Sequence, residues 1–145
     1  MAIPRNHFIL QFEEGMPKGT AQLKGECVRY KFVGDKRVPY VHHFKKAKVS
    51  TMRSLFEWEL KKYRPSMPVE NPVRLFLVFY FDVKERSKWG RCKTTKPDLD
   101  NFAKEFIDAM VSIGFFKDDA LICDLHIKKY YAEKASIYVE WEEIR

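Results

Sequence analysis

A chain of 145 residues has room for one domain with a real core and little beyond it. Its residues are 46% hydrophobic and 32% charged, with no long single-sign tail, which excludes disorder as the default state. Twenty-seven Lys and Arg against twenty Asp and Glu leave a formal charge of +7, an excess that favours a polyanionic partner such as nucleic acid without giving its address.

Residues 1–7 lack the continuous apolar run of a signal peptide, and no segment approaches the roughly 20 apolar residues of a membrane span. Cys27, Cys92 and Cys123 form no CxxC pair, so a zinc ribbon is not expected. An odd number of cysteines suits a reducing cytosol better than a disulfide framework. The expectation is a soluble, cytoplasmic protein with no membrane contact, one domain over residues 1–145.

In chain order, His7 to Phe12 reads as a first strand, with Phe8, Leu10 and Phe12 alternating. Gly15 to Gly25 is a turn-rich basic loop holding Lys18. Cys27 to Val33 and Val38 to His42 read as a hairpin around Gly34-Asp35. His42 and His43 are adjacent on that strand and point to opposite faces, so they are not expected to chelate one ion. A helix is expected from about Phe44 to Tyr63, with Val49, Met52, Phe56 and Leu60 at helical spacing, lysines at 45, 46 and 48 in its first turns, and Pro65 as its stop. Val73 to Val83, dense in β-branched and aromatic residues, reads as a central strand.

The stretch Lys84 to Lys96 carries Lys84, Arg86, Lys88, Arg91, Lys93 and Lys96 with only Glu85 opposing. Such a loop should be exposed and mobile unless something anionic binds it. Its Trp89 is either a base-stacking side chain or a buried anchor. A second helix should run from about Leu99 to Ser112, presenting Leu99, Phe102, Ala103, Phe106, Met110 and Ile113 on one face, with Gly114 as its C-terminal cap. The turn Lys117-Asp118-Asp119 and two closing strands, Ala120 to Tyr131 and Ala135 to Glu143, complete an α+β domain with a mixed or mostly antiparallel sheet. The strand order is not readable.

The chemistry concentrates in Lys96-Pro97-Asp98-Leu99-Asp100-Asn101, then Lys104, then Asp118-Asp119. Pro97 keeps its predecessor out of the helical region, so the helix begins near Asp98. Asp98 then stands at the N-cap and Asp100 in the first turn, and Asp118 and Asp119 can lie beside them if the following strand is adjacent. Converging carboxylates stay ionised only beside a cation or by sharing a proton. Hard oxygen donors select Mg²⁺ or Mn²⁺ and suit phosphodiester hydrolysis. Lys104 shares a helix face with Asp100 and reaches the same corner. Taken singly, each has a plainer reading: Asp98 as a cap, Asp100 as a dipole partner, Lys104 in an ion-pair ladder with Asp108, Asp118-Asp119 as turn residues.

KPDLDNFAKEFIDAM, followed by GFFKDD, resembles the signature of the RusA family of Holliday-junction resolvases, common in phages and prophages. That pattern reads D-x-D-N-x-x-K, then D-A-L, then G and a closing D-D. Asp98, Asp100, Asn101, Lys104, Asp108, Gly114, Asp118 and Asp119 fall in register, with Met110 at the usual Leu. The resemblance implies a RusA-like domain with two main helices packed on the sheet. It implies that Asp98, Asp100 and Asp119 are the catalytic metal-site acids, with Asp118 adjacent, and that Lys104 is the catalytic lysine. It also implies a homodimer using Mg²⁺, with Mn²⁺ able to substitute, that cuts a four-way DNA junction symmetrically and leaves ligatable nicks. One departure stands out: where family members often carry a Lys-x-Arg-Pro-Arg type segment, residues 17–22 keep only Lys18. DNA contacts are therefore expected from Lys18 and from the Lys84, Arg86, Lys88, Arg91, Lys93 and Lys96 loop. Two rivals remain at this point: a less selective nuclease acting on flaps, forks or RNA, and a basic nucleic-acid-binding protein with no chemistry.

Overall fold

A computed structural model describes residues 6–18, 24–45 and 47–145, at the level of the backbone alone for 24–27, 43–45 and 47–50. The chain forms β1 (Asn6–Phe12), β2 (Lys24–Val33), β3 (Lys36–Lys45), α1 (Ala47–Leu60), β4 (Val73–Asp82), α2 (Leu99–Ser112), β5 (Ile122–Ala132) and β6 (Ala135–Glu143). Short 3₁₀ turns occupy Lys61–Tyr63, Arg86–Lys88 and Asp119–Leu121. Part of the expected Gly15–Gly25 loop, and the side chains of Cys27, His43, Val49 and lysines 45, 46 and 48, lie outside the described residues.

The main sheet has the order β1-β6-β4-β5, and β2 with β3 forms a separate two-stranded ribbon. β4 is parallel to β5 and antiparallel to β6. A parallel pair needs a crossover, and α2 supplies it. β5 and β6 follow each other after only Glu133 and Lys134, yet β4 lies between them. The link therefore steps over the end of β4, where the Val83 amide donates to the Ala132 carbonyl at 3.0 Å.

β4 reads as a near-continuous apolar run because both of its edges are paired and one face is covered. Leu75, Leu77, Phe79 and Phe81 face the helices and are buried. Phe102 and Phe106 of α2 meet Phe79 edge-on, at 5.0 and 5.8 Å, and Phe56 of α1 packs edge-on against both. Edge-to-face contacts suit the ring quadrupoles. Met52, Phe56 and Leu60 form the buried stripe expected of α1, and Leu10, Ile137 and Val139 close the core from the far strands.

α1 starts at Ala47, later than the pattern suggests, because β3 keeps pairing out to Lys45 opposite Lys24. Its helical course ends at Arg64, which turns extended ahead of Pro65. α2 has the expected bounds. Gly114, at φ +96°, takes the left-handed C-terminal position, and the Phe115 amide donates to the Met110 carbonyl at 3.0 Å.

The Lys84–Lys96 loop differs from its expectation. Backbone hydrogen bonds fasten it to the outer edge of β5: Gly90 to Tyr131, Tyr131 to Arg91, and Lys93 to Lys129, at 2.8–3.2 Å. Trp89 is half-buried and its Nε1 donates to the Val83 carbonyl at 2.9 Å, so it anchors the loop. The basic side chains stay exposed or half-exposed on a backbone that is tied down.

Candidate active-site groove

Asp98 occupies the N-cap of α2, and its carbonyl accepts from the Phe102 amide at 3.0 Å. Its carboxylate makes no capping hydrogen bond. It turns back instead to Lys96, whose Nζ donates to both oxygens at 2.8 and 2.9 Å. The backbone therefore fills the cap position while the side chain serves the Lys96 pair. Lys129 of β5 sets the approach to this corner: its Nζ donates to the carbonyls of Thr95 and Pro97 at 2.9 and 2.8 Å. Burial, then the charge of Lys93, holds the Lys129 amine below its ordinary pKa, with Asp98 pulling the other way.

Between α2 and β5 runs a groove of about 290 Å³. Asp100, Ala103, Lys104, Ile107 and Asp108 line it from the helix, and Asp119, Ile122, Leu125 and Ile127 from the strand side. Asp100, Lys104 and Asp108 sit one turn apart on one helix face. Asp119 arrives because the turn after α2 is tied to the segment before β4: the Val69 amide donates to Phe115 and the Lys117 amide to Val69, each at 2.9 Å. The structure thus brings Asp100, Lys104 and Asp119 to one groove, its floor apolar and its rim charged.

Asp98 and Asp118 do not line that groove. Asp98 stands at the Lys129 end of β5 and Asp119 before its Ile122 start, with seven residues, about 23 Å of strand, between those two positions. Asp118 caps the short turn that follows it, accepting from the Ala120 amide at 2.9 Å. That bond, then a hydrogen bond with Asp119, holds its carboxyl below the ordinary value. Lys104 donates to Asp108 at 3.2 Å in an exposed pair that water competes with. Arg53 of α1 reaches the same helix, donating to Glu105 at 2.6 Å and to Asp108 at 3.4 Å.

The basic loop borders the corner at Asp98. Lys93 lies 4.9 Å from the Tyr131 ring centroid and donates to Thr95 at 2.7 Å. Arg86 lies over Trp89 at 5.8 Å, and Lys88 pairs with Glu85 at 3.1 Å. Lys84 and Arg91 are exposed, as is Lys18 on its own loop. Sequence reasoning missed Lys129 and Arg53. The signal for Lys129 was there: a lysine in the same alternating row as Leu125 and Ile127, which face α2.

Among the described residues, no three His, Cys, Asp or Glu side chains stand close enough to form a metal cage. The donor set nevertheless fits a hard cation of the Mg²⁺ kind. Such ions bind through one or two carboxylates and keep water and phosphate oxygens for the rest, and Asp100 and Asp119 offer solvent-facing carboxylates of that type.

A helix-backed mixed sheet with aspartates and a lysine along one groove, beside a tethered basic loop, has the parts of a nuclease. The family model described as Endodeoxyribonuclease RusA matches residues 27–142, and the chain belongs to the RusA family. It is 34% identical over 88 residues to a protein of Lactococcus phage r1t named crossover junction endodeoxyribonuclease rusA, covering 59% of this chain and 67% of that one. It is also 28% identical over 115 residues to the uncharacterized protein YqaN of Bacillus subtilis strain 168, covering 72% and 80% respectively. Among the described residues, no helix is long and apolar enough to cross a membrane.

Proposed function

We propose that this chain is a structure-selective, metal-dependent endodeoxyribonuclease that resolves four-way DNA junctions by paired phosphodiester hydrolysis, as a cytoplasmic homodimer. The observation that carries this reading is the groove: Asp100, Lys104 and Asp119 face solvent together in a chain of the RusA family.

Asp100 and Asp119, which line the groove, would hold Mg²⁺ or Mn²⁺, while Asp98 and Asp118, which do not line it, would act from the neighbouring chain positions. A bound ion of this kind lowers the pKa of its water and neutralises charge on the phosphate. Lys104 adds a positive charge at the same groove. Its exposed pair with Asp108 is weak enough to exchange for a phosphate or leaving oxygen. The tethered loop from Lys84 to Lys96, and Lys18, hold the DNA backbone by charge. A junction has approximate two-fold symmetry, and a C2 dimer offers two grooves at a fixed separation.

The test is a labelled four-way junction, fork, flap and duplex, each incubated with and without Mg²⁺. Asp100→Asn is expected to abolish cleavage while junction binding persists, because repulsion between carboxylate and phosphate falls. An Asp100→Asn protein that cuts at the wild-type rate would sink the assignment. Wild-type protein that binds junctions yet never cuts them in Mg²⁺ or Mn²⁺ would mark a binder without chemistry. Mixing wild-type with excess Asp100→Asn protein should give heterodimers that nick one strand only.

A further inference from the structure

The β2–β3 ribbon is the part of the molecule that neither the core nor the groove explains. Among the described residues, neither strand hydrogen-bonds to the main sheet. From Val28 to Val41 every side chain except Val38 is exposed. A two-stranded ribbon standing alone is marginal in water, so stability does not account for it.

From Val28 to Val41, three of its four cations share one face. Side chains alternate along each strand, and the register sets Arg29 opposite Tyr40, Lys31 opposite Val38 and Val33 opposite Lys36. Arg29, Lys31 and Lys36 therefore share one face. Arg37 shares the other with Val28, Tyr30 and Phe32. Two of the cations are ordered by ring faces: Lys31 lies 5.9 Å from the Tyr40 centroid and Arg37 3.9 Å from that of Tyr30. Among the described residues, none of these four cations forms an ion pair with a carboxylate.

We propose that the β2–β3 ribbon is a DNA-contacting arm whose basic face, Arg29, Lys31 and Lys36, lies against the phosphates of one duplex arm of the branched substrate. The proposal rests on the junction-nuclease reading for its substrate and is independent of the groove for its contacts. Dimensions agree with it. Cations at alternate strand positions are about 6.7 Å apart, close to two phosphate steps of about 3.4 Å along one strand. A two-stranded ribbon is also slim enough for the major groove, about 12 Å wide. A second copy of this chain is a poorer occupant of that face, because a two-fold contact would set the same cations against each other.

The experiment uses the full chain and a fluorescent four-way junction without divalent metal, titrated between about 50 and 200 mM salt. The triple variant Arg29→Gln, Lys31→Gln, Lys36→Gln is expected to bind at least tenfold more weakly at the low-salt end. Its log–log salt slope should be shallower by about 2–3, near one unit per lost phosphate contact. The charge-conserving triple variant Arg29→Lys, Lys31→Arg, Lys36→Arg should keep the wild-type slope, and a melting curve for each variant controls for folding. An unchanged slope in a folded glutamine variant overturns the arm. So does an unchanged slope combined with a shift in elution volume for Val28→Ser, Phe32→Ser, which would assign the ribbon to a protein contact. Failure of the junction-nuclease reading looks different: wild-type protein would make no cut in Mg²⁺, while the glutamine variant still lost its slope.

Discussion

The helix-backed sheet and the ribbon use the same kinds of side chain to opposite ends. In the first, Phe56, Phe79, Phe102 and Phe106 are fully buried and interlock edge to face. In the second, Tyr30 and Phe32 stand in water, Phe32 at 76% exposure, and the Arg37 guanidinium lies over the Tyr30 ring. The sheet and its helices account for their own folding. The ribbon's aromatics and charges add little inside the molecule, which turns attention to what lies outside it.

The sharpest way to break that contrast is a pair of matched truncations. Phe102→Ala should cost about 3–5 kcal/mol in urea unfolding, since three buried rings lose a partner. Phe32→Ala should stay within about 0.5 kcal/mol of wild type. A comparable loss at Phe32 would show that the ribbon packs on the body after all. Next comes Arg53→Met, which leaves the Glu105 carboxylate, 1% exposed, without its guanidinium. Loss of about 3–5 kcal/mol is expected, largely recovered when Glu105→Met is added. If the double variant is no better than the single, burial of charge is not the cause.

How much of this was legible follows from where the determinants sit. The bounds of α2 could be read directly, because Pro97, the apolar face and Gly114 are all local signals. Those of α1 could not, because strand pairing across to Lys24 carries β3 past the point where helical spacing begins. Strand order was hidden as well. Two residues between β5 and β6 suggest neighbours, and only the three-dimensional sheet places β4 between them. At the candidate site, the presence of Asp100 and Lys104 on one helix face is a matter of spacing. The company of Asp119 depends on the Val69 and Phe115 tie, which no pattern announces. The turning of Asp98 to Lys96 is likewise a contact across two residues with no periodic signature.

That last contact gives a smaller test. Lys96→Ala removes the positive charge paired with the Asp98 carboxylate, so Mg²⁺ or Mn²⁺ binding followed by calorimetry should tighten by about threefold, as removal of an exposed competing charge allows. Weaker binding would count against Asp98 as a metal ligand. The smallest effect concerns pH. The amine of Lys129 is depressed in the folded state, so between that lowered value and the ordinary lysine value the unfolded chain holds more protons. Stability from this group therefore rises with pH across that alkaline window and is lost as pH falls through the folded value. Melting curves of wild type and Lys129→Met should diverge there, and parallel curves would remove Lys129 from the account.

The two-residue step from β5 to β6 over the end of β4 also has a consequence for the chain as it is made. β4 ends at Asp82, and its last partner ends at Glu143, 61 residues later. At about 5–20 residues per second, the most apolar strand in the protein waits on the order of 3–12 seconds for both its edges to be covered. A chain truncated after β5 leaves β4 with one row of amides and carbonyls unpaired beside a strongly apolar face, which is a template for aggregation. A stop codon that falls between β5 and β6 should therefore yield insoluble protein.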